Sequence, residues 1–499
     1  MQSVQTLVIS IIISLCTTIG FSQQLTGFVK SKSSQESIPF ASVQISDNYG
    51  VITNTEGLFQ IQTEKFLPTD SLLFSSMGFE SKKIALKDFQ QNSTIYLADN
   101  INELAEVYLV NKNLTPDEIL EKVTKKASEN YSKPLAKYTI FARKSEKSTL
   151  KDFDFEINKA TFLPKKTQGK FNKEIKQAFK NDKHKNIEHH SYSEDYFSIY
   201  KNNDSIKIDL IKLTALENPE TSLDGEKIAE KIFKLIAENL DSKNTFKVRS
   251  GIIPVDDSLK VGESFKIKEE NEADTVKTAH WRESNLLGIN HEKNILEAQK
   301  LDFLTNYPNY KFQLDEITGF NNEMVYILSF TPNKRKAKYT GKLYISADTF
   351  AVLKAEYQLA PGKRTNSFNM KFLLGVKIIQ DKDAGTLVFR KNKNNSYDPV
   401  FFRREMHQYI YLNRSVSFKE NTQDRKNRIK FKFDFKIETN NHLVSESLFV
   451  DNHKITEKQF DNFTEKTSTT VEEIRKYDAS IWENYNIIAP DEAIKTFEY

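Results

Sequence analysis

The densest group of side chains able to do chemistry is His184, His189 and His190, with Glu188, Glu194 and Asp195 beside them. Imidazole nitrogens and carboxylate oxygens are the ligand set of a hydrolytic zinc centre, where the metal turns bound water into a nucleophile. The spacing argues against that use, because adjacent histidines in a lysine-rich stretch are more often solvated than ligating. His291-Glu292 opens like the zinc-peptidase helix motif, yet Ile295 stands where the second histidine belongs. No Gly-x-Ser-x-Gly elbow occurs, and 15 glycines in the whole chain leave little material for phosphate-binding loops. The reading is therefore of no catalytic residue, no cofactor and no metal, with a metal-dependent hydrolase on the histidine group as the third-ranked alternative.

Two further groups suit binding rather than bond-breaking. Lys165, Lys170, Lys173, Lys176, Lys180, Lys183 and Lys185 form the one asymmetric charge run, with Phe171, Ile175 and Phe179 at helical spacing among them. A solvated face on an inserted helix is the ordinary meaning. The functional meaning is contact of Lys173, Lys176 and Lys180 with an anionic lipid or lipopolysaccharide surface. Tyr310, Phe312, Tyr326 and Phe330 would line a ligand cavity if they lay inside a half-barrel, although core packing is the commoner role of such residues. Arg403-Arg404 and the cations from Arg425 to Arg428 read as turn charges. A net charge of +4, from 72 basic and 68 acidic side chains, gives nucleic-acid binding no support.

Positioning any of these takes more than one domain, since 499 residues exceed a typical single core. Leu7 to Leu15 is a short apolar block, and Gly20 and Ser22 fit a signal-peptidase site, so residues 1–22 read as a signal peptide. Cys16 is the single cysteine. Lipidation there would need a small residue at Leu15, and without Cys16 the mature chain holds no disulfide or thiolate site. The expected address is the periplasm or the periphery of an outer membrane.

Residues 23–98 alternate short apolar runs with turns, the rhythm of a β-sandwich. Predicted strands include Phe28 to Lys30, Ala41 to Ser46, Leu58 to Ile61, Ser71 to Ser75 and Thr94 to Leu97. Residues 99–136 form a linker carrying a helix over 115–130, with Thr115 as N-cap, Pro116 at the first helical position and a stripe of Ile119, Leu120, Val123 and Ala127. Residues 137–499 read as one large antiparallel sheet, curved or half-closed, with a few helical insertions such as those around Ile228 to Ile236 and Leu287 to Leu304. Phe368 to Ile379 is taken as one of its strands, and Trp482 as the residue that locks the C-terminus against the sheet.

Four blocks in order carry a resemblance: Gly27-Phe28-Val29, Ile38-Pro39-Phe40-Ala41-Ser42-Val43, Thr53-Asn54-Thr55-Glu56-Gly57-Leu58-Phe59, and Leu73-Phe74-Ser75-Ser76-Met77-Gly78-Phe79-Glu80. Together they resemble the carboxypeptidase-regulatory-like, transthyretin-like module, which also precedes the plug of many TonB-dependent transporters. The resemblance implies a seven-strand sandwich in which Pro39, Gly57 and Gly78 are structural. Asn54 and Glu56 stand where that family commonly has aspartates. The ending from Tyr477 to Pro490 resembles uncharacterised envelope proteins with the same module, and the Gly341–Ser346 to Val352–Glu356 hairpin resembles periplasmic lipoprotein carriers of the LolA type.

The expected fold is thus mainly β, and the expected role is a non-catalytic envelope protein whose sandwich docks a protein or glycan partner. A carrier of acyl chains or another apolar ligand is the alternative.

Overall fold

The computed structural model describes residues 24–46, 49–100, 114–131, 135–180, 187–202, 205–217, 240, 244–260, 275–285, 301–320 and 323–498. The leader with Cys16, His184, the segment around Ile228 to Ile236 and His291-Glu292 lie outside them, as does the side chain of Lys180. The chain divides into two compact units, the N-terminal sandwich with Asp478–Lys495 in one and the large sheet in the other.

The sandwich has seven strands: β1 (Gln24–Ser31), β2 (Ser42–Ser46), β3 (Tyr49–Ile52), β4 (Leu58–Gln62), β5 (Ser71–Ser75), β6 (Lys82–Ala85) and β7 (Ser93–Leu97). They form two sheets, β4-β1-β7 and β3-β2-β5-β6, with β1 and β7 parallel. Inward residues alternate along the strands, as a two-layer core requires, and Val29, Val43, Phe59, Ile61, Leu72 and Phe74 are fully buried. Phe59 meets Phe74 edge-on at 5.5 Å.

Gly57 sits at φ +77°, and a Cβ there would lie 2.7 Å from the Val29 carbonyl oxygen. Only glycine fits this turn. Asn54 organises the same turn, its side-chain oxygen accepting from the N–H groups of Glu56 and Leu58 at 2.9 Å each. Gly78 also has positive φ, and Pro39 is exposed in the connection before β2.

The C-terminal segment completes this unit. Trp482 is fully buried in it, on the one-turn helix Ala479–Trp482. Asn486 accepts from the N–H of Gln62 at 2.8 Å, and the Asn54 side-chain amide donates to the Pro490 carbonyl at 3.2 Å. Trp482 and the residues after it as far as Lys495, grouped by sequence reading with the large β domain, therefore belong with the sandwich.

In the second unit, helix α1 (Pro116–Tyr131) follows Thr115, which exchanges hydrogen bonds with Glu118 as a capping box. It buries Ile119, Leu120, Val123 and Ala127, and the Tyr131 hydroxyl donates to the Val352 carbonyl at 2.8 Å. The sheet comprises β8 (Ala136–Ala160), β9 (Ile187–Lys201), β10 (Ile206–Glu217), β11 (Phe246–Ser250), β12 (Ile253–Leu259), β13 (Thr275–Lys277), β14 (Tyr310–Phe320), β15 (Glu323–Pro332), β16 (Tyr339–Ser346), β17 (Val352–Leu359), β18 (Asn366–Met370), β19 (Val376–Lys391), β20 (Tyr397–Glu420), β21 (Lys430–Lys454) and β22 (Ser468–Ile474). Its order is β13-β22-β10-β9-β8-β21-β20-β19-β17-β16-β15-β14, with β11, β12 and β18 off this path. The sheet is curved and does not close into a barrel. Among the described registers of this sheet, all are antiparallel except that of β10 with β22.

Two expectations change. Phe368 to Ile379 is not one strand but the hairpin β18–β19, turned at Gly375 with φ +63°. Arg403-Arg404 is not a turn but mid-strand on β20.

Candidate functional site

Side chains alternate between the faces of a sheet, so register decides which residues meet. At the middle of the large sheet the pairing aligns Glu194, Arg143, Glu446 and Arg403 on four successive strands, β9, β8, β21 and β20. The row is a ladder of alternating charge, bounded by Thr214 on β10 and Thr386 on β19. Arg143 and Glu194 are 2% and 4% exposed. The Arg143 guanidinium donates to Glu194 Oε1 from Nε at 2.7 Å and approaches it through Nη2 at 2.5 Å. Burial works against the charge of Arg143, and Glu194 and Glu446 outweigh it, so its pKa rises.

The ladder continues through Glu405 on the same strand as Arg403. Arg403 Nη1 donates to it at 3.2 Å, His442 lies 2.7 Å away, and Lys382 pairs with it as well. Burial alone would raise this carboxyl, but Lys382, His442 and Arg403 together pull it down to about 2. Beside Glu194 on β9, Tyr192 packs edge-on against Phe497 at 5.4 Å, so Phe497 covers part of this face. Such a network holds strand register firmly, since a slip of one residue would bury every charge opposite the wrong partner.

The opposite face carries a shallow cleft. The neighbouring row there is Asp195, Ala142, Ser447 and Phe402. Helix α2 (Thr278–Asn285) lies over it, with Trp281 against Phe197 at 4.6 Å between ring centres. The Trp281 indole N–H donates to Asp195 Oδ2 at 2.9 Å, and Lys144 Nζ donates to the Asn285 side-chain oxygen at 2.6 Å. Burial raises the Asp195 carboxyl to about 6, more than the Trp281 hydrogen bond and Lys144 lower it. The space in this cleft that admits water is about 30 Å³, room for one or two waters. A typical small-molecule pocket begins at roughly 300 Å³. The arrangement can hold water and change its charge near pH 6, and it has no room for an acyl chain.

The candidate residues from sequence fall in separate places. His189 and His190, being consecutive on β9, point to opposite faces, Glu194 is held by Arg143 and Asp195 by Trp281. Among the described residues no three His, Cys, Asp or Glu side chains converge as metal ligands. Tyr310, Phe312 and Phe330 are brought together, Phe312 lying 5.5 Å from Phe330 and Phe303 stacking on Phe330 at 4.5 Å. Tyr310, Tyr326 and Phe330 are buried core on β14 and β15, and Phe312 packs against them half-buried. Lys173 and Lys176 lie on the helix Lys165–Lys180, where Lys176 pairs with Glu156 at 3.0 Å. That helix docks by Ile175 and Phe171, the latter 6.4 Å from Phe155.

Comparison with known proteins gives a protein-family match over residues 25–109, to the family described as CarboxypepD_reg-like domain. No curated protein matches the chain. A solved structure of a DUF1329 family protein from Desulfovibrio piger aligns at 10% identity over 64% of this chain and 90% of its own, with a TM-score of 0.15. A putative membrane-associated protein of unknown function from Bacteroides fragilis aligns at 8% identity over 84% of this chain and 96% of its own, with a TM-score of 0.13. Similarities this distant carry no argument about what the chain does.

Proposed function

We propose that this chain is a non-catalytic binding or assembly protein of the cell envelope, whose N-terminal sandwich docks a protein partner through the edge of β6. The observation that carries the reading is the singly paired β6 edge with its two exposed lysines, set against a β4 edge that the C-terminal segment covers. On the β4 side, the backbone N–H of Gln62 is capped by Asn486 and its side-chain amide donates to the Tyr485 carbonyl at 3.4 Å. The β6 edge pairs only with β5 among the described strands, and Lys82 and Lys83 on it are exposed. An unpaired edge is a template for strand addition, and lysines along it discourage self-pairing while favouring an acidic partner segment. Export to the envelope is part of the proposal, supported by the apolar block from Leu7 to Leu15. Among the described residues no helix is long and apolar enough to cross a membrane.

The test is site-specific photocrosslinking from position 83 in cells. A discrete adduct with an envelope protein is expected, and it should disappear when Lys82→Glu is added. A crosslinking pattern indifferent to that charge reversal would refute edge docking. Deleting residues 24–98 is the coarser version and should abolish co-purification with the same partner.

A further inference from the structure

The large sheet carries two apolar hairpin tips that nothing in the proposed docking role uses. One is the turn of β11–β12, where Ile252 is 81% and Val255 62% exposed. The other is the turn of β18–β19, residues Lys371 to Gly375, where Phe372 is fully exposed and Leu373 is 70% exposed, with Phe368 exposed on the strand before it.

The topology of β20 sets them side by side. This strand pairs with β19 as far as Leu412 and with β11 from Val416 onward. In the gap stands Arg414, whose guanidinium donates to the carbonyls of both Leu374 and Ser250 and, at 2.8 Å, to the Ser250 hydroxyl. One side chain therefore clamps the two tips together. The second turn is fixed as well, because the Gly375 N–H donates to the Lys371 carbonyl at 3.0 Å and a Cβ on Gly375 would fall 2.0 Å from the Asn413 oxygen. These apolar side chains are held out by a defined backbone.

Charge indicates the occupant. From Gly362 to Lys377 the chain carries Lys363, Arg364, Lys371 and Lys377 and no acidic residue. Behind the tips, Lys371 lies over the Tyr411 ring at 4.0 Å and Lys377 over Tyr409 at 5.0 Å. The other hairpin is charge-balanced: Arg249 is exposed, Asp257 is paired with Lys247 at 2.9 Å, and Asp256 accepts from the Ser258 N–H at 2.7 Å, so the cationic excess lies on the β18–β19 side. Phe, Leu and Ile side chains standing proud, with cations and tyrosines one layer behind, match the depth profile of a bilayer interface: acyl boundary first, anionic headgroups next.

We infer that the paired tips at Ile252 and Phe372-Leu373 form a peripheral membrane-contact site for anionic lipid. The site is separate from the β6 edge and stands whether or not that edge binds a partner.

The test is sedimentation of the full chain with vesicles of phosphatidylcholine alone and of an equimolar phosphatidylcholine–phosphatidylglycerol mixture. Binding to the mixed vesicles is expected, weaker at high salt, with little to phosphatidylcholine alone. Phe372→Ser with Leu373→Ser should weaken it about tenfold or more, from the loss of two inserted apolar side chains. Both positions are exposed, so circular dichroism and the melting temperature should not move. Ile252→Ser is a second variant on the other tip and should weaken binding in the same direction. No binding by the parent chain, equal binding by the variants, or equal binding to both vesicle types would overturn the inference. So would a change in oligomeric state on Phe372→Ser with vesicle binding retained, since that would make the tips a protein contact.

Discussion

Replacing Arg143 with methionine should cost the large sheet about 3–5 kcal/mol. The substitution keeps most of the apolar stem and removes the charge together with the N–H donors that hold Glu194. Glu194 is then left 4% exposed with its 2.5 Å partner gone, and Glu446 loses one of its two flanking cations. Breaking a buried pair by removing one member has that magnitude, because the remaining carboxylate is still out of water. Removing both members should behave differently. Arg143→Met with Glu194→Leu leaves no orphaned charge at that rung, so it should recover at least about 2 kcal/mol of the loss. The assay is urea unfolding followed by tryptophan fluorescence. Only two tryptophans exist, and they fall in different compact units, so a Trp482→Phe background makes Trp281 report on the sheet alone. A cost below about 1 kcal/mol for Arg143→Met, or a double variant no more stable than the single one, would refute the view that these charges fix the register.

Other outcomes follow from the same structure. Asp195 has its pKa raised from 3.8 to about 6, so the folded chain holds this proton more tightly than the unfolded one. Its contribution is fully present below about pH 4 and is lost as pH rises through about 6. The parent chain should therefore lose stability relative to Asp195→Asn over that window, by about 1–2 kcal/mol after allowing for partial exposure, measured as urea midpoints at several pH values. Gly57→Val should destabilise the sandwich by at least about 1–3 kcal/mol through a positive φ and the clash at the Val29 carbonyl, read as a lower melting transition of that unit. Trp482→Ala should cost about 3–5 kcal/mol in the same unit. Asn486→Ala should cost about 1–3 kcal/mol by stranding the buried N–H of Gln62, seen as faster hydrogen exchange there.

Local chemistry made part of the fold readable. Thr115, Pro116 and Glu118 announce the start of α1, and the Asn54-to-Gly57 turn announces a hairpin, because caps and turns are written in adjacent residues. Two sandwich strands escaped. β3 is only four residues long, and β6 begins with two exposed lysines, as an edge strand can. The β18–β19 turn was read through because Phe372, Leu373 and Leu374 continue the apolar run. Arg403-Arg404 resembled a turn because neighbouring charges usually are one, whereas here they take opposite faces of β20, Arg403 on the ladder and Arg404 bidentate to Asp383 at 2.9 Å. The ladder itself depends on the register of strands far apart in the chain, Arg143 and Glu194 being 51 residues apart. Nothing within either segment records that register.

The sandwich built by the first hundred residues takes Trp482, Asn486 and Pro490 from the far end, across separations of 424 and 436 positions. A nascent chain emerging from the ribosome cannot finish this domain when its own strands are made, and must wait until Asp478–Lys495 have been added. The edge at β4 stays uncovered for that whole interval. Termination between β7 and Asp478 would then release a domain with an open seam along β4.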